Sequence, residues 1–307
     1  MQPISPSTSR FIKLGRKGKW EADCIECENP VIRLGFVNPH HQACLSGDWS
    51  TLRAYWAEQK TKGKATEITN QIRDFYTLDE NTLWITFYRR RLYWCFASPE
   101  VQITDDGTRT RSVLGRWSSQ SIRGEELLIE NLSGRLNKTQ GFRGTICSIG
   151  EEAYLVRRIN GLVSPAVEEA RASLSRLERS LEDLIRSLGW KDFELLCDLI
   201  FTQSGWQRLS TVGGTEKSID LDLLAPVSGK RAFVQIKSQS DKNEFEDYCQ
   251  EFTTLDQYDE MFFVVHSPRG DVSTWSKPEK AQIMLISDIA RLAVSAGLSK
   301  WIIQKNT

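Results

Sequence analysis

One amphipathic segment, residues 161–190, separates two halves of this chain that differ in composition, and it therefore predicts a two-domain fold. Ser164 followed by Pro165 is typical of a helix start. Apolar residues then recur at intervals of three and four, with Glu and Arg on the other face. They are Val167, Ala170, Leu174, Leu177, Leu181 and Leu184. Gly189 suits the position that ends a helix. We expect 161–189 to be a linker helix that joins the two domains and packs on one of them.

After residue 189 the sequence mixes helix and strand patterns, which predicts a small α/β domain at 190–307. The predicted order is helix 191–203, strands 206–212, 218–225 and 231–238, helix 243–256, strands 261–266 and 282–286, and helix 287–297.

Residues 11–160 are rich in aromatic residues and short alternating runs, which predicts a β-rich domain with a few helices. Residues 81–97, NTLWITFYRRRLYWCFA, predict two strands joined by a basic turn at Arg89–Arg91. A helix is predicted at 66–78, and further strands are predicted at 125–132 and 153–159.

The composition excludes several classes of protein. The chain of 307 residues has 40 basic and 40 acidic residues, so it is not a bulk polycation, although a local basic face is compatible with this balance. No apolar run approaches the roughly 20 residues of a membrane span. Residues 1–10 are rich in Ser and Pro, which indicates a flexible tail and not a signal peptide. The seven Cys are an odd number with irregular spacing, which favours reduced thiols and a cytoplasmic protein.

The strand predicted at 231–238 carries an amide and an ammonium within an apolar run. Gln235 and Lys237 point to one side of this strand, whereas Val234 and Ile236 point to the other. If this strand forms a hairpin with the preceding one, Asp220 can converge with Gln235 and Lys237 on one face of the sheet. This pattern indicates a polar site between the two strands.

These residue types are suited to a hard divalent cation such as Mg²⁺, which prefers oxygen ligands. Asp220 offers a carboxylate, Gln235 a side-chain carbonyl and Ile236 a backbone carbonyl, and Glu194 lies on the helix upstream. Lys237 cannot bind a cation, but it can polarise a water or neutralise charge that grows on a phosphate. The pattern therefore favours a site where a metal and an ammonium both face a phosphodiester.

Residues 193–239 resemble the catalytic core of the PD-(D/E)XK nucleases, and more narrowly the Mrr-type restriction endonuclease branch, in which Gln replaces the acid of the E-x-K pair. The shared features are the helix Glu, the aromatic after Gly205, the Gly-Gly pair, the I-D-L strand and the Q-x-K strand. The resemblance implies that Asp220 binds metal, that Gln235 and Lys237 form the Q-x-K pair, and that Glu194 is the helix acid.

The same resemblance implies a mixed sheet flanked by helices and a Mg²⁺-dependent endodeoxyribonuclease, with Mn²⁺ as a substitute. The sequence departs from many relatives at Thr215–Ser218, where they have Asp- and Gly-rich residues. Asp222 also leaves open which aspartate binds the metal, although the I-D-L register favours Asp220.

The functional hypothesis is an enzyme of restriction or defence that cuts foreign DNA, and the sequence leaves open whether it reads a modified base. Cutting two strands requires two active centres, so we expect a homodimer. The alternatives are a repair or junction nuclease, an RNase of the same fold, or a binding protein that has lost its catalytic site. An exposed Q-x-K pair on an edge strand is also compatible with a merely solvated face.

The first half resembles the EVE/PUA-like domains that accompany modification-dependent restriction enzymes, on residues 11–36, 81–97 and 110–117. The resemblance implies a barrel-like DNA reader with a pocket for an extruded base. The candidates for base stacking are Trp20, Trp49, Trp84, Trp94 and Trp117, and those for phosphate contacts are Arg89, Arg90 and Arg91. The alternative is that each Trp is a core residue and that the Arg triplet is a solvated hairpin tip.

Cys24, Cys27, His40 or His41, and Cys44 have the spacing of a structural zinc site. We nevertheless expect no zinc, because 20–27 has the pattern of a helix in which Cys acts as a small buried apolar residue.

Overall fold

The computed structural model describes residues 2–209 and 219–307. The chain divides into two units, Met1–Ser164 and Pro165–Thr307. The strand predictions at 210–212 and at 218, the Gly-Gly pair and Thr215–Ser218 lie outside the described residues.

The first unit combines short strands with helices of very different length. Its strands are β1 (Thr8–Ile12), β2 (Val31–Leu34), β3 (Thr82–Tyr88), β4 (Arg91–Cys95), β5 (Gln102–Ile103), β6 (Arg109–Ser112) and β7 (Ile146–Ser148). Its helices are α1 (Glu21–Ile25), α2 (His41–Ser46), α3 (Trp49–Gln59), α4 (Lys62–Thr77), α5 (Gly134–Asn137) and α6 (Glu152–Ile159).

These strands form two sheets, in the orders β4-β3-β1-β7 and β2-β6-β5, and in the described residues neither sheet closes into a barrel. The mixed α/β content is confirmed, but the predicted PUA-like barrel is not. The hairpin predicted at 81–97 is present as the antiparallel pair β3 and β4, and Arg89 and Arg90 have positive φ angles of 45° and 61° at its tip.

Two strand predictions in this unit are wrong. Residues 153–159 belong to helix α6, because the buried Leu155 and Ile159 lie four residues apart on one helical face. Residues 125–132 contain a 3₁₀ turn at Ile129–Asn131 and otherwise make only isolated bridges.

The second unit is built on one mixed sheet in the order β12-β11-β10-β9-β8. Its strands are β8 (Gln207–Arg208), β9 (Leu221–Leu224), β10 (Arg231–Ser240), β11 (Glu260–Pro268) and β12 (Ala281–Leu285). Its helices are α7 (Pro165–Arg186), α8 (Trp190–Gln203), α9 (Lys242–Thr254), α10 (Ile286–Ser295) and α11 (Ser299–Lys305). Strands β10, β11 and β12 are parallel, whereas β9 runs antiparallel to both β10 and β8.

Helices cover both faces of this sheet because β10 alternates its side chains between two cores. Val234 and Ile236 pack with residues of α7, α8 and α10. Phe233 packs on the other face with Phe245 and Phe252 of α9. The strand is therefore buried on both sides, and a polar side chain within it is held at a fixed position.

Gly189 does not end helix α7 as predicted. The helix ends at Arg186, where Ser187 and Leu188 donate their N–H groups to carbonyls three residues back and tighten the last turn. Gly189, with a φ angle of −65°, instead precedes the first residue of α8. Helix α11 was not predicted.

Candidate active site beside strands β9 and β10

Asp220 binds strand β10 at the place where its partner β9 begins. The last residue pair in the ladder between β10 and β9 is Val234 with Leu221. Ile236 is the next residue of β10 whose N–H points toward the β9 side, and this N–H has no backbone partner on β9. The Asp220 carboxylate fills this role: its Oδ2 accepts the Ile236 N–H at 2.6 Å and the Gln235 Nε2 at 2.6 Å. The Asp220 N–H in turn donates to the Val234 carbonyl at 3.1 Å. Asp220 is thus fixed against β10 by its main chain and its side chain.

Gln235 is almost fully buried, at 4 % exposure, and its amide oxygen Oε1 has no hydrogen-bond partner among the described residues. A buried acceptor without a partner costs free energy unless a cation or a water satisfies it. The carbonyl of Ile236 faces the same edge as its N–H, because both groups of a strand residue point to one side. The atoms beside Asp220 that are available as metal ligands are therefore oxygens, which suit Mg²⁺.

Glu194 of α8 brings a second carboxylate to this site. The pKa of Glu194 is raised mainly by burial and secondly by the negative charge of Asp220. Burial also raises the pKa of Asp220, although the Ile236 N–H, the Lys237 charge and the Gln235 amide act against it. Two partly buried carboxylates that resist ionisation are an environment in which a bound cation is favourable.

The potential metal ligands of this site include few carboxylates. In residues 2–209 and 219–307, no group of three or more His, Cys, Asp or Glu side chains is arranged to hold a metal. A cation at Asp220 and Glu194 would therefore depend on the Gln235 amide oxygen and the Ile236 carbonyl as further ligands. The residues present fit a hard cation with several water ligands better than they fit zinc.

Lys237 brings a positively charged ammonium group to the site, and α9 holds it in place. Its Nζ lies 3.0 Å from Glu244 Oε1 and 4.9 Å from the centre of the Tyr248 ring. Ser240 donates to the other oxygen of Glu244 at 2.8 Å. Burial opposes the charged form of Lys237, but Tyr248 and Glu244 outweigh it and raise its pKa. Since the charge of Lys237 also lowers the pKa of Asp220, the two groups interact electrostatically.

Asp222, the other candidate aspartate, has a different partner. Its Oδ2 accepts from Arg231 at 2.7 Å. Arg208 of β8 lies on the Asp220 side, where it donates to the Asp220 carbonyl at 3.4 Å and pairs with Asp198 at 3.3 Å. The structure therefore separates the two aspartates and leaves Asp220 beside Gln235.

The sequence analysis missed Glu244, Tyr248 and Arg208. A signal for Glu244 was present in the stretch D-K-N-E, in which an acid follows a helix-capping residue by three positions. Asp241 does cap α9, accepting the N–H groups of Asn243 and Glu244 at 3.0 and 3.1 Å. This cap places the first turn of α9, and with it Glu244, beside the end of β10.

The DNA-contact candidates of the first unit differ in accessibility. Trp84, Trp94 and Trp117 are core residues at 0 %, 7 % and 7 % exposure, so their rings have no free face for a base in this structure. Arg89 and Arg90 are exposed at the hairpin tip, where Arg89 pairs with Glu26 at 2.6 Å and Arg90 with Glu130 at 3.6 Å.

Arg91 is the least exposed of the three hairpin arginines and pairs with Glu126 at 3.3 Å. The guanidinium groups at the tip are therefore the accessible candidates, and the three indoles are not.

The Cys series does not form a metal cluster within the described residues. Cys24 and Cys44 are buried, and burial raises the pKa of the Cys24 thiol to about 12. His41 Nδ1 lies 2.9 Å from the Tyr76 hydroxyl.

Comparison with known proteins gives a match in the second unit. Residues 185–254 match the family model described as restriction endonuclease, the Mrr-type catalytic domain. The match covers less than a quarter of the chain but includes Glu194, Asp220 and the strand with Gln235 and Lys237. It supports a restriction-type nuclease domain in the second unit, and nothing supports the EVE/PUA-like resemblance of the first. No curated protein and no solved structure matches the chain significantly. None of the helices in the described part of the chain combines the length and apolar character needed to span a bilayer.

Proposed function

We propose that this chain is a divalent-metal-dependent endodeoxyribonuclease whose active site is formed by Glu194, Asp220, Gln235, Ile236 and Lys237. The observation that carries the proposal is the contact of Asp220 with Gln235 and Ile236, inside the segment that matches the restriction endonuclease family. Mg²⁺ is the proposed cofactor, with Mn²⁺ as a substitute, and DNA is the proposed substrate.

Asp220 and Glu194 would hold the cation together with the Gln235 amide oxygen and the Ile236 carbonyl. When bound, such a cation supplies a water of lowered pKa and positive charge for the developing phosphorane. The contacts of Asp220 with β10 keep its carboxylate in one orientation before metal and DNA arrive, which reduces the entropy lost on binding them.

Lys237 would place its ammonium against the phosphate that is cut. Its pKa is raised above an ordinary lysine value that already lies well above neutral pH, so its charge is available to stabilise the negative charge that grows on the phosphate oxygens. Glu244 and Tyr248 hold the Nζ atom from the side of α9 and so limit its movement.

The biological role that fits these features is the restriction of foreign DNA. We further propose that the first unit is the DNA reader, with the exposed arginines of the β3–β4 hairpin contacting phosphates. A comparison of cleavage on modified and unmodified DNA tests whether this DNA-reading unit prefers modified bases.

The test is plasmid cleavage by the purified chain with Mg²⁺, with Mn²⁺ or with EDTA, on modified and unmodified DNA. We expect nicks or linear product only when a divalent cation is present and Asp220 is intact. Equal cleavage by Asp220→Ala would overturn the site. The absence of cleavage on all DNA, together with intact DNA binding, would support the alternative of a binding protein that has lost catalysis.

A further inference from the structure

Trp190, the first residue of helix α8, carries an indole ring that the described chain leaves largely uncovered. Its exposure is 59 %, and every other Trp, Tyr or Phe among the described residues is buried or only partly exposed. Trp190 begins the helical stripe that continues with Phe193 and Cys197, which are buried at 2 % and 0 % exposure. The apolar stripe of α8 therefore extends past the core of the second unit, and its first member faces solvent.

A ring contact places this end of α8 at the proposed active site. Phe193 meets the ring of His266 edge to face, with 5.1 Å between the centroids. His266 follows Val265 on β11, and Val265 is the partner of Lys237 in the ladder between β10 and β11. The first turn of α8 therefore lies at the end of the sheet where β10 carries Lys237.

Glu194 sets the distance from the exposed ring to the proposed metal site. Trp190 and Glu194 are four residues apart, so they lie on one face of α8 with a rise of about 6 Å between them. Because helical side chains lean toward the N-terminus, the indole extends away from Glu194 and does not cover it. A DNA strand rises about 3.4 Å per nucleotide, so a base about two nucleotides from a phosphate at Glu194 comes within reach of the ring.

Lys191 adds a positive charge beside this ring. Its Nζ lies 5.4 Å from the centre of the Trp190 ring. The neighbouring acid Asp192 is paired with Lys305 at 2.8 Å, and Lys191 forms no ion pair within residues 2–209 and 219–307. Burial raises the pKa of Glu194 and the charge of Lys191 acts against this rise, so the ammonium is within electrostatic reach of the proposed metal site. An aromatic face beside an unpaired cation suits a nucleotide, which offers a base to the ring and a phosphate to the ammonium.

We propose that Trp190 stacks on a base of the DNA substrate, about two nucleotides from the phosphate that is cut, and that Lys191 contacts a phosphate beside this base. The inference rests on the proposed nuclease function, since it takes the phosphate that is cut to lie at Glu194. In an intact duplex both faces of a base are covered by its neighbours, so the base must leave the stack to reach the ring. Because leaving costs less at a mismatch than at a paired base, the site favours DNA with an unpaired base near the cut.

The first experiment measures base stacking without cleavage. The probe is a short duplex with 2-aminopurine in its single mismatch, titrated with the full chain in EDTA, because the fluorescence of 2-aminopurine falls when it stacks on an indole. We expect the wild type to quench the probe. Trp190→Ala should lose the quench and bind about tenfold more weakly, whereas Trp190→Phe should retain most of the affinity because it keeps an aromatic face.

The matched control is Leu195→Ala, which should quench and bind like the wild type. Leu195 is 43 % exposed on the same helix but lies about 140° around its axis from Trp190. Circular dichroism of all variants verifies that they fold. A quench and an affinity that Trp190→Ala leaves unchanged would overturn the stacking role.

The salt dependence of binding separates the ring from the ammonium. Trp190→Ala removes no charge, so it should weaken binding at every salt concentration without changing the slope of log affinity against log salt. Lys191→Gln should reduce this slope by about 1. Lys300→Gln, at an exposed position of α11, is the control with the same change of charge. An equal reduction of the slope by both lysine variants would overturn the phosphate contact of Lys191.

Cleavage with Mg²⁺ distinguishes a failure of this inference from a failure of the proposed function. In the wild type, a mismatch about two nucleotides from the mapped cut should raise kcat/KM above that of the paired duplex, and Trp190→Ala should lose this preference but still cut. A wild type that cuts no DNA, although Trp190 quenches the probe, would overturn the nuclease function and leave Trp190 as a base-binding residue. A chain that cuts DNA with the same preference with and without Trp190 would overturn the stacking role alone.

Discussion

Gln235 donates its amide nitrogen to Asp220 at 2.6 Å, while its buried amide oxygen has no partner in the described part of the chain. A hydrogen bond alone would explain a Gln at this position only in part, since the unpaired oxygen carries a desolvation cost. A ligand role for the oxygen would remove that cost. Gln235 therefore connects the local structure of β10 to the proposed metal site.

The first prediction concerns this oxygen. Gln235→Leu should lower Mg²⁺ affinity and cleavage by about 10- to 100-fold, because it removes both the proposed ligand and the bond to Asp220. Gln235→Glu should recover part of the activity, since a carboxylate is again an oxygen donor. Cleavage rates measured against Mg²⁺ concentration give both quantities.

The matched control for this substitution is Gln239→Leu. Gln239 lies on the same side of β10, is exposed, and accepts from Arg269 at 2.6 Å. Its replacement should leave the Mg²⁺ dependence unchanged. An equal loss in both variants would show that the effect is general to the strand and not specific to the Gln235 oxygen.

The second prediction is that the active-site carboxylate destabilises the metal-free protein. Burial raises the pKa of Asp220, so the folded state binds this proton more tightly than the unfolded chain does. The stability that this group contributes is therefore fully present below its unfolded pKa of about 4 and is lost as pH rises through the folded value. At pH 7.5 in EDTA, Asp220→Asn should raise the free energy of unfolding by about 1 kcal/mol and the Tm by a few degrees.

This difference in Tm should shrink below pH 4, where Asp220 is protonated in both states. Mg²⁺ should raise the Tm of the wild type but not that of Asp220→Asn. Asp222→Asn is the control, and because Asp222 pairs with Arg231 at 2.7 Å its loss should lower or maintain the Tm. A lower Tm for Asp220→Asn at pH 7.5 would contradict the prediction.

The order of elements from α8 to α10 could be predicted from the sequence because turn residues separate runs of strand and helix periodicity, whereas the short helix α11 was missed. The alternation in β10 also predicted that Gln235 and Lys237 share a side. The contacts of Asp220 with β10 could not be predicted, since they depend on where the ladder between β9 and β10 ends. The same is true of Arg208, which reaches the site from a strand of only two described residues.

The first unit shows why short apolar runs mislead. Leu155, Val156 and Ile159 are compatible with a strand and a helix alike, and packing of α6 decides between them. The tryptophans illustrate a related limit: a sequence reveals an aromatic side chain but not its burial, and Trp84 is fully buried.

The third prediction concerns the contact between Lys237 and Glu244. Lys237→Ala should reduce cleavage by about 100-fold or more, while DNA binding is largely retained. Glu244→Gln should act more mildly. It removes an anion that favours the ammonium, so the pKa of Lys237 falls and the loss of activity at alkaline pH begins at a lower pH.

The pH–rate profile of the wild type and of Glu244→Gln tests this role. Glu246→Gln is the control, because Glu246 lies on the same helix but pairs with Lys242 at 3.7 Å. We expect its profile to match that of the wild type. An unchanged alkaline limb in Glu244→Gln would show that Glu244 does not maintain the charge of Lys237.

The last prediction concerns the proposed reader. Arg90 is the most exposed arginine of the β3–β4 hairpin, at 79 % side-chain exposure, and its contact with Glu130 is long at 3.6 Å. Arg90 therefore gives up only this long ion pair when its side chain moves to contact a DNA phosphate. Arg90→Ala should weaken DNA binding and reduce the slope of log affinity against log salt by about 1. The cleavage rate at saturating DNA should stay the same, since the hairpin residues are not part of the metal site. Arg53→Ala, an exposed arginine of helix α3, is the control with the same change of charge. If both variants change the salt slope equally, the effect is one of net charge, and the hairpin is not the contact.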